Sequence, residues 1–380
     1  MSIEILRIPL PPMSIGTSRE LRAFRYGKAG ARPKIYLQAA LHADELPGQL
    51  VLHRLRRRLE AAAAAGHILG EIVLVPVANP VGLGQMIGNR HLGRYELASG
   101  ENFNRNYLDL ALIGDRLADR LGSDPVANLS VVREELLRYL DELSPVGELA
   151  TLRRALLQLA VDADIVLDLH CDQDAEMHIY TGDLLWPQFA DIAAELQAAA
   201  VLLARTSGGN PFDEAFSAAF AKLSERFGAV RPVPADGCLS ATVELRGEAD
   251  VSDVLAERDA AALFRVLQRR GAIAGDPGPL PPARCTATPL SGVDLVRSPA
   301  AGLIVFRVDV GARVKSGELI AEIVDPVAAS AVAPPVEVRS RTEGILFARA
   351  LEKLARPGKA VAKIAGAEAL PDRVGHLLTD

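Results

Sequence analysis

Short apolar runs alternate with longer stretches of helical periodicity over much of the chain. The runs have the length of strands and contain few polar residues, which is typical of strands covered on both faces of a sheet. Between them, apolar positions recur at the spacing of an amphipathic helix. Strands are predicted at 34–41, 71–77, 165–169 and 239–245, and helices at 46–64, 126–143, 152–160 and 253–269. The alternation predicts an α/β sheet.

The chain changes character at segment 275–282, which is rich in glycine and proline. These residues cannot continue a helix or a central strand, so the segment predicts a boundary. From 294 to 366, short β-like runs are separated by turn glycines, and the same order of turn and strand occurs twice. We therefore predict two domains, an α/β domain at 1–284 and a small all-β domain at 285–380.

The repeated β-pattern resembles the barrel-sandwich hybrid of biotinyl and lipoyl carrier domains over most of 294–366. Those carrier domains present a modifiable lysine on a tight turn between their two halves. Here the corresponding region, 323–327 and the alanine- and proline-rich stretch after it, has no lysine. We therefore do not expect a lipoyl or biotinyl group. We expect a module that packs on the first domain, or one that shapes an oligomer and access to a cleft.

Composition and charge narrow the classes of protein. The chain has 380 residues, 49% of them hydrophobic, which is too much for one small core and supports two domains. The net charge is -6 and no basic tract extends beyond the cluster at 54–58, so nucleic acid is not an expected partner. With no signal-peptide pattern and no apolar run long enough for a bilayer, we expect a cytoplasmic protein without a membrane partner. Three scattered cysteines are too few for a disulfide framework or a thiolate zinc site.

Four polar residues lie at or just beyond the ends of predicted strands: His42, Asn79, His170 and Glu244. In open α/β sheets, ligands bind outside the carboxyl ends of the strands. A single cleft at that edge of the sheet is therefore predicted to collect these side chains.

A metal site is predicted from His42 and Glu45, three positions apart, together with His170. Two imidazoles and one carboxylate leave a coordination position for water, as in catalytic zinc sites, although these ligands accept other divalent ions too. Spacing alone leaves Asp44 as a competing carboxylate. Asp168 lies on the same side of the pleat as His170, where it either orients the imidazole or serves as a strand-end turn residue.

The segment 88–107 reads as a long polar loop without helical or strand periodicity. Functional side chains concentrate on such loops. Arg105, next to Asn104, suits a substrate carboxylate because a guanidinium donates two parallel hydrogen bonds. Arg94, or alternatively Arg90, suits the oxyanion formed when an amide carbonyl is attacked.

These motifs occur in the order found in the succinylglutamate desuccinylase/aspartoacylase family of zinc carboxypeptidase-like enzymes, which the chain resembles over roughly 34–270. The motifs are His42-x-x-Glu45, Asn79-Pro80, Asn104-Arg105, Asp168-x-His170 and Thr242-x-Glu244. The resemblance implies a zinc-dependent catalytic domain at 1–284 with a carboxypeptidase-like α/β/α sandwich and a mixed sheet.

The same resemblance implies the site and its chemistry. One Zn²⁺ per chain would be bound by His42, Glu45 and His170. Glu244 would be the general base for a water activated by the metal, and Arg94 would polarise the carbonyl. Asn104 and Arg105 would hold a substrate carboxylate. The implied reaction is cleavage of the amide bond in a small N-acyl amino acid or related compound.

Several alternatives stay open from the sequence. Arg246 could pair with Glu244 and position it. The same scaffold could serve a metal-dependent esterase or peptidase, or a non-catalytic protein that binds a small molecule. Cys171 is a poor nucleophile candidate because its neighbour His170 is predicted to bind metal and leaves no free base. A homo-oligomer is also left open.

Overall fold

The computed structural model describes residues 3–186, 188–330 and 332–378. Within them the helices are α1 (Pro47–Ala64), α2 (Pro80–Leu83), α3 (Gly114–Leu117), α4 (Pro125–Glu142), α5 (Glu148–Ala160), α6 (Ala190–Glu195), α7 (Glu214–Phe227) and α8 (Asp253–Arg269). Short 3-10 turns cover Leu110–Ile113, Asp183–Leu185 and Leu290–Gly292.

The first twelve strands belong mainly to the α/β part of the chain. They are β1 (Glu4–Leu10), β2 (Arg19–Tyr26), β3 (Lys34–Ala39), β4 (Glu71–Val75), β5 (Met86–Ile87), β6 (Arg90–His91), β7 (Ile165–Asp172), β8 (Asp174–Ala175), β9 (His178–Gly182), β10 (Ala200–Ala204), β11 (Leu239–Gly247) and β12 (Thr288–Pro289). The remaining strands are β13 (Val293–Arg297), β14 (Gly302–Phe306), β15 (Arg313–Val314), β16 (Leu319–Val324), β17 (Val336–Arg339), β18 (Gly344–Arg349), β19 (Leu354–Ala355) and β20 (Ala360–Gly366).

One large mixed sheet organises the α/β part, in the order β1-β2-β4-β3-β7-β11-β9-β10-β12. Its centre is parallel, because β3 pairs with both β4 and β7, and β7 pairs with β11, in the same direction. The antiparallel pairs are β1 with β2, β2 with β4, and β9 with β11. The predicted α/β fold with a mixed sheet is confirmed.

Helices cover both faces of this sheet. Successive residues of β3 alternate between two cores, with Ile35 and Leu37 in one and Tyr36 in the other, as the period-2 geometry of a strand requires. The first core contains the buried faces of α1 and α8, and the second contains those of α4, α5 and α7. The result is the predicted three-layer α/β/α arrangement.

Local chemistry explains where the helices begin. Proline occupies the first turn of α1 and α4, where its missing N–H costs nothing. Asp124 caps α4 by accepting from Val126 N at 2.9 Å, and Ser252 caps α8 by accepting from Leu255 N at 3.3 Å. No helix among the described residues is long and apolar enough to cross a lipid bilayer.

Two antiparallel sheets form the C-terminal part. One has the order β13-β20-β18-β15, and the other β17-β16-β14-β19. Between them lies a separate apolar core that includes Ile320, Ile323, Leu346 and Ile364. Each part of the chain adds a short strand to a sheet of the other, because β8 pairs with β18 and β12 pairs with β10.

Candidate metal centre

The turn after β3 carries the first two ligand candidates and is held rigidly by its neighbours. Asn79 donates from Nδ2 to Leu41 O at 3.0 Å and accepts at Oδ1 from Gly82 N at 2.8 Å. Gly93 packs so closely on the same turn that a Cβ there would lie 2.2 Å from Asp44 N. Asn79 therefore supports the turn instead of facing the cleft, where the sequence placed it.

Among the described residues, His42, Glu45 and His170 form a buried group that could hold a metal ion. His42 Nδ1 lies 2.9 Å from Glu45 Oε1, and His170 Nδ1 lies 2.7 Å from Glu45 Oε2. Their candidate ligand atoms all fall within 4.8 Å of one another. The parallel pairing of β3 with β7 brings the two imidazoles together, since His42 follows β3 and His170 lies near the end of the neighbouring β7. Asp44, the alternative carboxylate, is not part of this group.

The second nitrogen of each imidazole faces a polar partner, which turns the Nδ1 atoms toward a common point. His42 Nε2 lies 2.9 Å from Asn102 Oδ1. His170 Nε2 lies 3.0 Å from Asp168 Oδ2, and Asp168 is fully buried within β7 instead of forming a turn. With the Nε2 side of each ring facing these oxygens, loss of the Nδ1 proton leaves a lone pair on each Nδ1 for a metal ion. The donor set fits a divalent ion.

Charge within this group is strongly coupled. Burial opposes ionisation of Glu45, yet the facing imidazoles of His42 and His170 hold its pKa well below the usual range. Burial alone would lower the pKa of His170, but the carboxylates of Asp168 and Glu45 raise it well above its usual value. A buried carboxylate between two imidazoles is thus kept ionised, which is the state a metal ligand requires.

Of the two arginines considered for the oxyanion, only Arg94 lies at the ligand group. Arg94 Nη1 is 3.1 Å from Glu45 Oε1 and 3.1 Å from His42 Nδ1. Arg90 is exposed on the two-stranded β5–β6 hairpin. The loop that the sequence predicted as irregular therefore contains a small hairpin and delivers Arg94 to the site.

Asn104 and Arg105 also reach the cavity, and both are buried. Asn104 Oδ1 accepts from Phe212 N at 2.8 Å, while its Nδ2 lies 3.5 Å from His170 Nε2. Arg105 donates from Nη1 to Asn104 O at 2.8 Å. Both predicted residues therefore line the cavity, with the Asn104 side chain held by the backbone of Phe212.

Glu244 projects from β11, whose register sets it opposite His170. Its Oε2 is buried and has no hydrogen-bond partner within the described part of the chain. Burial, together with the charge of Glu45, raises the pKa of Glu244 to about 8. The proposed pairing of Arg246 with Glu244 is wrong, because Arg246 forms a salt bridge with Asp259 on α8. Arg246 has a positive φ of 67°, which turns it away from the strand direction.

The ligand group opens into a cavity of about 100 Å³ that adjoins an outer cavity of about 490 Å³. Glu45, Arg94, Cys171, Asp172 and Lys363 border both. Cys171 is buried, and burial raises the pKa of its thiol strongly, which disfavours the reactive thiolate.

Two further titratable residues line the cavity, and the first of them, Lys363, was not found from the sequence. Lys363 comes from β20 in the C-terminal part and pairs with Asp172 at the end of β7. Asp213 precedes α7, and burial with the charges of Glu214 and Asp168 raises its pKa to about 7. None of these residues lies in a motif, and only the three-dimensional packing of distant segments brings them to the cavity.

The fold and the donor set together define a mixed α/β protein with a buried group of two histidines and one glutamate that could hold a metal ion. Residues 31–125 match the sequence model of the succinylglutamate desuccinylase/aspartoacylase catalytic domain, so the resemblance found in the motifs is confirmed over that segment. A search of curated proteins finds no match.

Solved structures share the fold along nearly the whole chain. A protein named as a succinylglutamate desuccinylase/aspartoacylase from Shewanella frigidimarina is 23% identical, with a TM-score of 0.83 over 96% of this chain and 97% of that one. A family protein from Shewanella amazonensis is 24% identical, with a TM-score of 0.80 over 96% and 98%. The product-bound ectoine utilization protein EutE (DoeB) from Ruegeria pomeroyi is 21% identical, with a TM-score of 0.66 over 96% and 95%. At these identities the likeness shows the fold.

Proposed function

We propose that this protein is a zinc-dependent hydrolase that cleaves the amide bond of a small N-acyl amino acid or related compound. The observation that carries the proposal is the buried His42, Glu45 and His170 group with the carboxylate of Glu244 beside it. The matching family model names a desuccinylase and an aspartoacylase, which supports removal of an acyl group from an amino acid.

His42, Glu45 and His170 would hold one Zn²⁺ per chain. When bound, such an ion supplies Lewis-acid chemistry, which makes water acidic and polarises a carbonyl oxygen. Asn102 and Asp168 hold the Nε2 sides of the two imidazoles and so keep their Nδ1 atoms directed at the ion. This is the arrangement that orients metal-bound histidines in general.

Glu244 is proposed as the general base. Its buried Oε2 has no competing partner in the part of the chain that is described, so in its ionised form it can accept a proton from the attacking water. The same oxygen then returns the proton to the nitrogen of the departing amine. Position supports this role, since β11 aligns Glu244 with His170 on the neighbouring strand.

Two arginines are proposed to bind the substrate. Arg94, at 3.1 Å from the Glu45 carboxylate, would stabilise negative charge that develops on the carbonyl oxygen. Arg105, with Asn104 beside it in the cavity wall, would hold a substrate carboxylate. Both guanidiniums border the cavity of about 100 Å³, so one small substrate can reach them together with the ligand group.

We also propose the division into a catalytic domain at 1–284 and a β-domain at 285–380. The separate core between the two C-terminal sheets supports it. Lys363 extends the β-domain into the wall of the catalytic cavity, so we propose that the β-domain completes the site.

Substitution of Glu244 tests the proposed reaction. We expect Glu244→Gln to keep its metal but lose at least about a hundredfold in amine release, because general-base catalysis is typically worth 10²–10⁴-fold. Release is measured from N-formyl, N-acetyl and N-succinyl amino acids, with matching esters and dipeptides in parallel. Glu225→Gln on α7 is the control, since that side chain is 67% exposed.

Unchanged amine release by Glu244→Gln would contradict the assignment of the base. Hydrolysis of the esters or dipeptides alone would replace the amide substrate with one of the two alternative reactions. Release from none of the compounds, by a protein that does bind zinc, would favour a binding protein over an enzyme.

A further inference from the structure

The C-terminal segment 370–378 brings its last residue, Leu378, to the cavity that contains the proposed metal ligands. Near its start, Leu370 N donates to Ser291 O at 2.9 Å, and Arg341 Nη1 lies 2.9 Å from Asp372 Oδ2. Near its end, the N–H groups of Leu377 and Leu378 both point to Ser207 O, at 2.8 and 3.4 Å. The segment is therefore fixed at two places, although most of its residues are exposed.

The loop 205–211 that anchors the segment also borders Arg105. Gly208 lies against the His376 ring, and a Cβ at Gly208 would be 2.6 Å from His376 Nδ1. Gly209 lies against Arg105, and a Cβ there would be 2.6 Å from Arg105 Cδ. Both glycines have a positive φ, of 96° and 76°, a backbone conformation that residues with a side chain rarely adopt. The loop thus sets the C-terminal segment close to the proposed carboxylate-binding arginine.

Leu378 is the residue of this segment that reaches the cavity. It lines the cavity together with Tyr180, Leu202 and Leu290, and it packs against the apolar cluster to which those three belong. The same cavity contains the proposed metal ligands. One wall of the site is therefore apolar, and part of that wall comes from the C-terminal segment.

The available space is small. A single water molecule needs roughly 10–15 Å³ of cavity volume. A cavity of about 100 Å³ therefore accommodates only a short group. Arg94 and Lys363 line both this cavity and the outer one of about 490 Å³, whereas Leu378 lines only the inner one. A longer chain that entered the inner cavity would meet the Leu378 side chain.

We propose that Leu378, at the end of segment 370–378, sets the length of the substrate group that the inner cavity accepts. The proposal rests on the proposed function and narrows its substrate class to N-acyl amino acids with a short group in the inner cavity. The Leu378 side chain excludes longer groups by occupying the space that their additional carbons would need.

Two substrate series test this proposal. In the first, acyl length increases from formyl to butyryl on one amino acid; in the second, side-chain length increases on one N-acetyl amino acid. The variants are Leu378→Ala, which removes three carbon atoms, and Leu378→Trp, which adds bulk. The control is Val374→Ala, in the same segment but 76% exposed. Circular dichroism verifies that each variant is folded.

In one of the series, we expect kcat/KM of the wild type to fall sharply at a given length. Leu378→Ala should raise kcat/KM for the next longer substrate by about tenfold or more, since one methylene in an apolar pocket is worth at least this much. Leu378→Trp should move the limit to shorter groups, and Val374→Ala should leave it unchanged. Length profiles of both Leu378 variants that overlay the wild type would overturn the proposal.

A second measurement does not depend on activity. In metal-free protein, the rate at which diethyl pyrocarbonate modifies His42 is followed by peptide mass spectrometry. If Leu378 closes this wall, His42 reacts severalfold faster in Leu378→Ala and in a chain ending at Arg373 than in the wild type. Equal rates would contradict the proposal that Leu378 closes this wall, even if no substrate were hydrolysed. Faster rates without hydrolysis would reject only the proposed function.

Discussion

Glu45 uses its two carboxylate oxygens to meet two imidazoles, at 2.9 and 2.7 Å, and this geometry decides which acidic residue belongs to the site. The spacing in the sequence favoured Glu45 but left Asp44 as a competing carboxylate. The choice depends on the turn after β3, where Ala40 has a φ of 58° and Gly93 approaches the backbone closely. Such conformations depend on contacts between distant residues and cannot be read from a local pattern.

Buried His178 is the residue for which we predict a pH dependence of stability. Its Nδ1 lies 2.8 Å from Glu176 O, and its ring packs on Tyr180 and Phe347. Burial lowers the pKa of His178 to about 4, although the carboxylate of Asp172, 3.8 Å from Nε2, acts in the opposite direction. Lys363, which pairs with Asp172, adds to the lowering.

The sign follows from proton binding. Between an unfolded pKa near 6.5 and the folded value of about 4, the unfolded chain binds more protons at His178 than the folded protein does. The free energy of unfolding should therefore be unaffected by His178 above pH 6.5 and fall as the pH drops below it, by up to about 3 kcal/mol near pH 4.

Urea unfolding of the wild type and His178→Asn at pH 7.5, 6 and 5 measures this effect. Other groups titrate in the same range, so the informative quantity is the difference between the two proteins. We expect the stability of the wild type to fall more steeply with acid than that of the variant. Parallel pH profiles would show that His178 is not held neutral by the fold.

At the scale of elements, the long helices α1, α4, α5 and α8 were predicted, whereas α7 was missed. The predicted helix 253–269 coincides with α8, and 46–64 differs from α1 by one residue, because long amphipathic periods and capping residues are local signals. Strands β1 and β2 were missed: charged residues interrupt both, and Leu10 is the only buried residue of β1, so neither forms the continuous apolar run of a strand covered on both faces. The region 184–205 was left mixed, since α6 and β10 are each only five or six residues long.

One ion pair connects the C-terminal sheets to the strand that carries His170. Lys363 on β20 pairs with Asp172, whose side chain is 11% exposed. Because removal of the cation leaves a mostly buried carboxylate without its partner, we expect Lys363→Met to lower the free energy of unfolding by about 2–3 kcal/mol. This value allows for the partial exposure of Lys363, 29%, which weakens the pair.

A double-mutant cycle isolates this contact. Lys363→Met combined with Asp172→Leu removes both charges and should be more stable in urea than Lys363→Met alone. Lys315→Met, at an exposed turn of the C-terminal part, is the control. Additive effects of the two substitutions would mean that the pair does not couple these elements.

At the scale of the whole molecule, the composition change at 275–282 predicted the start of the C-terminal sheets, but nothing in the sequence predicted how closely the two parts are joined. Strand β8 joins a C-terminal sheet, and β12 extends the large sheet. These pairings are short, two residues in each strand, and carry no periodic signal. A cytoplasmic location and a homo-oligomer stay predictions.

The proposed function depends above all on one metal ion held by His42, Glu45 and His170. The most direct measurement is elemental analysis of purified wild type, His170→Ala and His53→Ala, the last being an exposed histidine on α1. We expect about one zinc per chain in the wild type and in His53→Ala, and little in His170→Ala. A wild-type protein that contains no metal and takes up none from added zinc would contradict the proposed metal site.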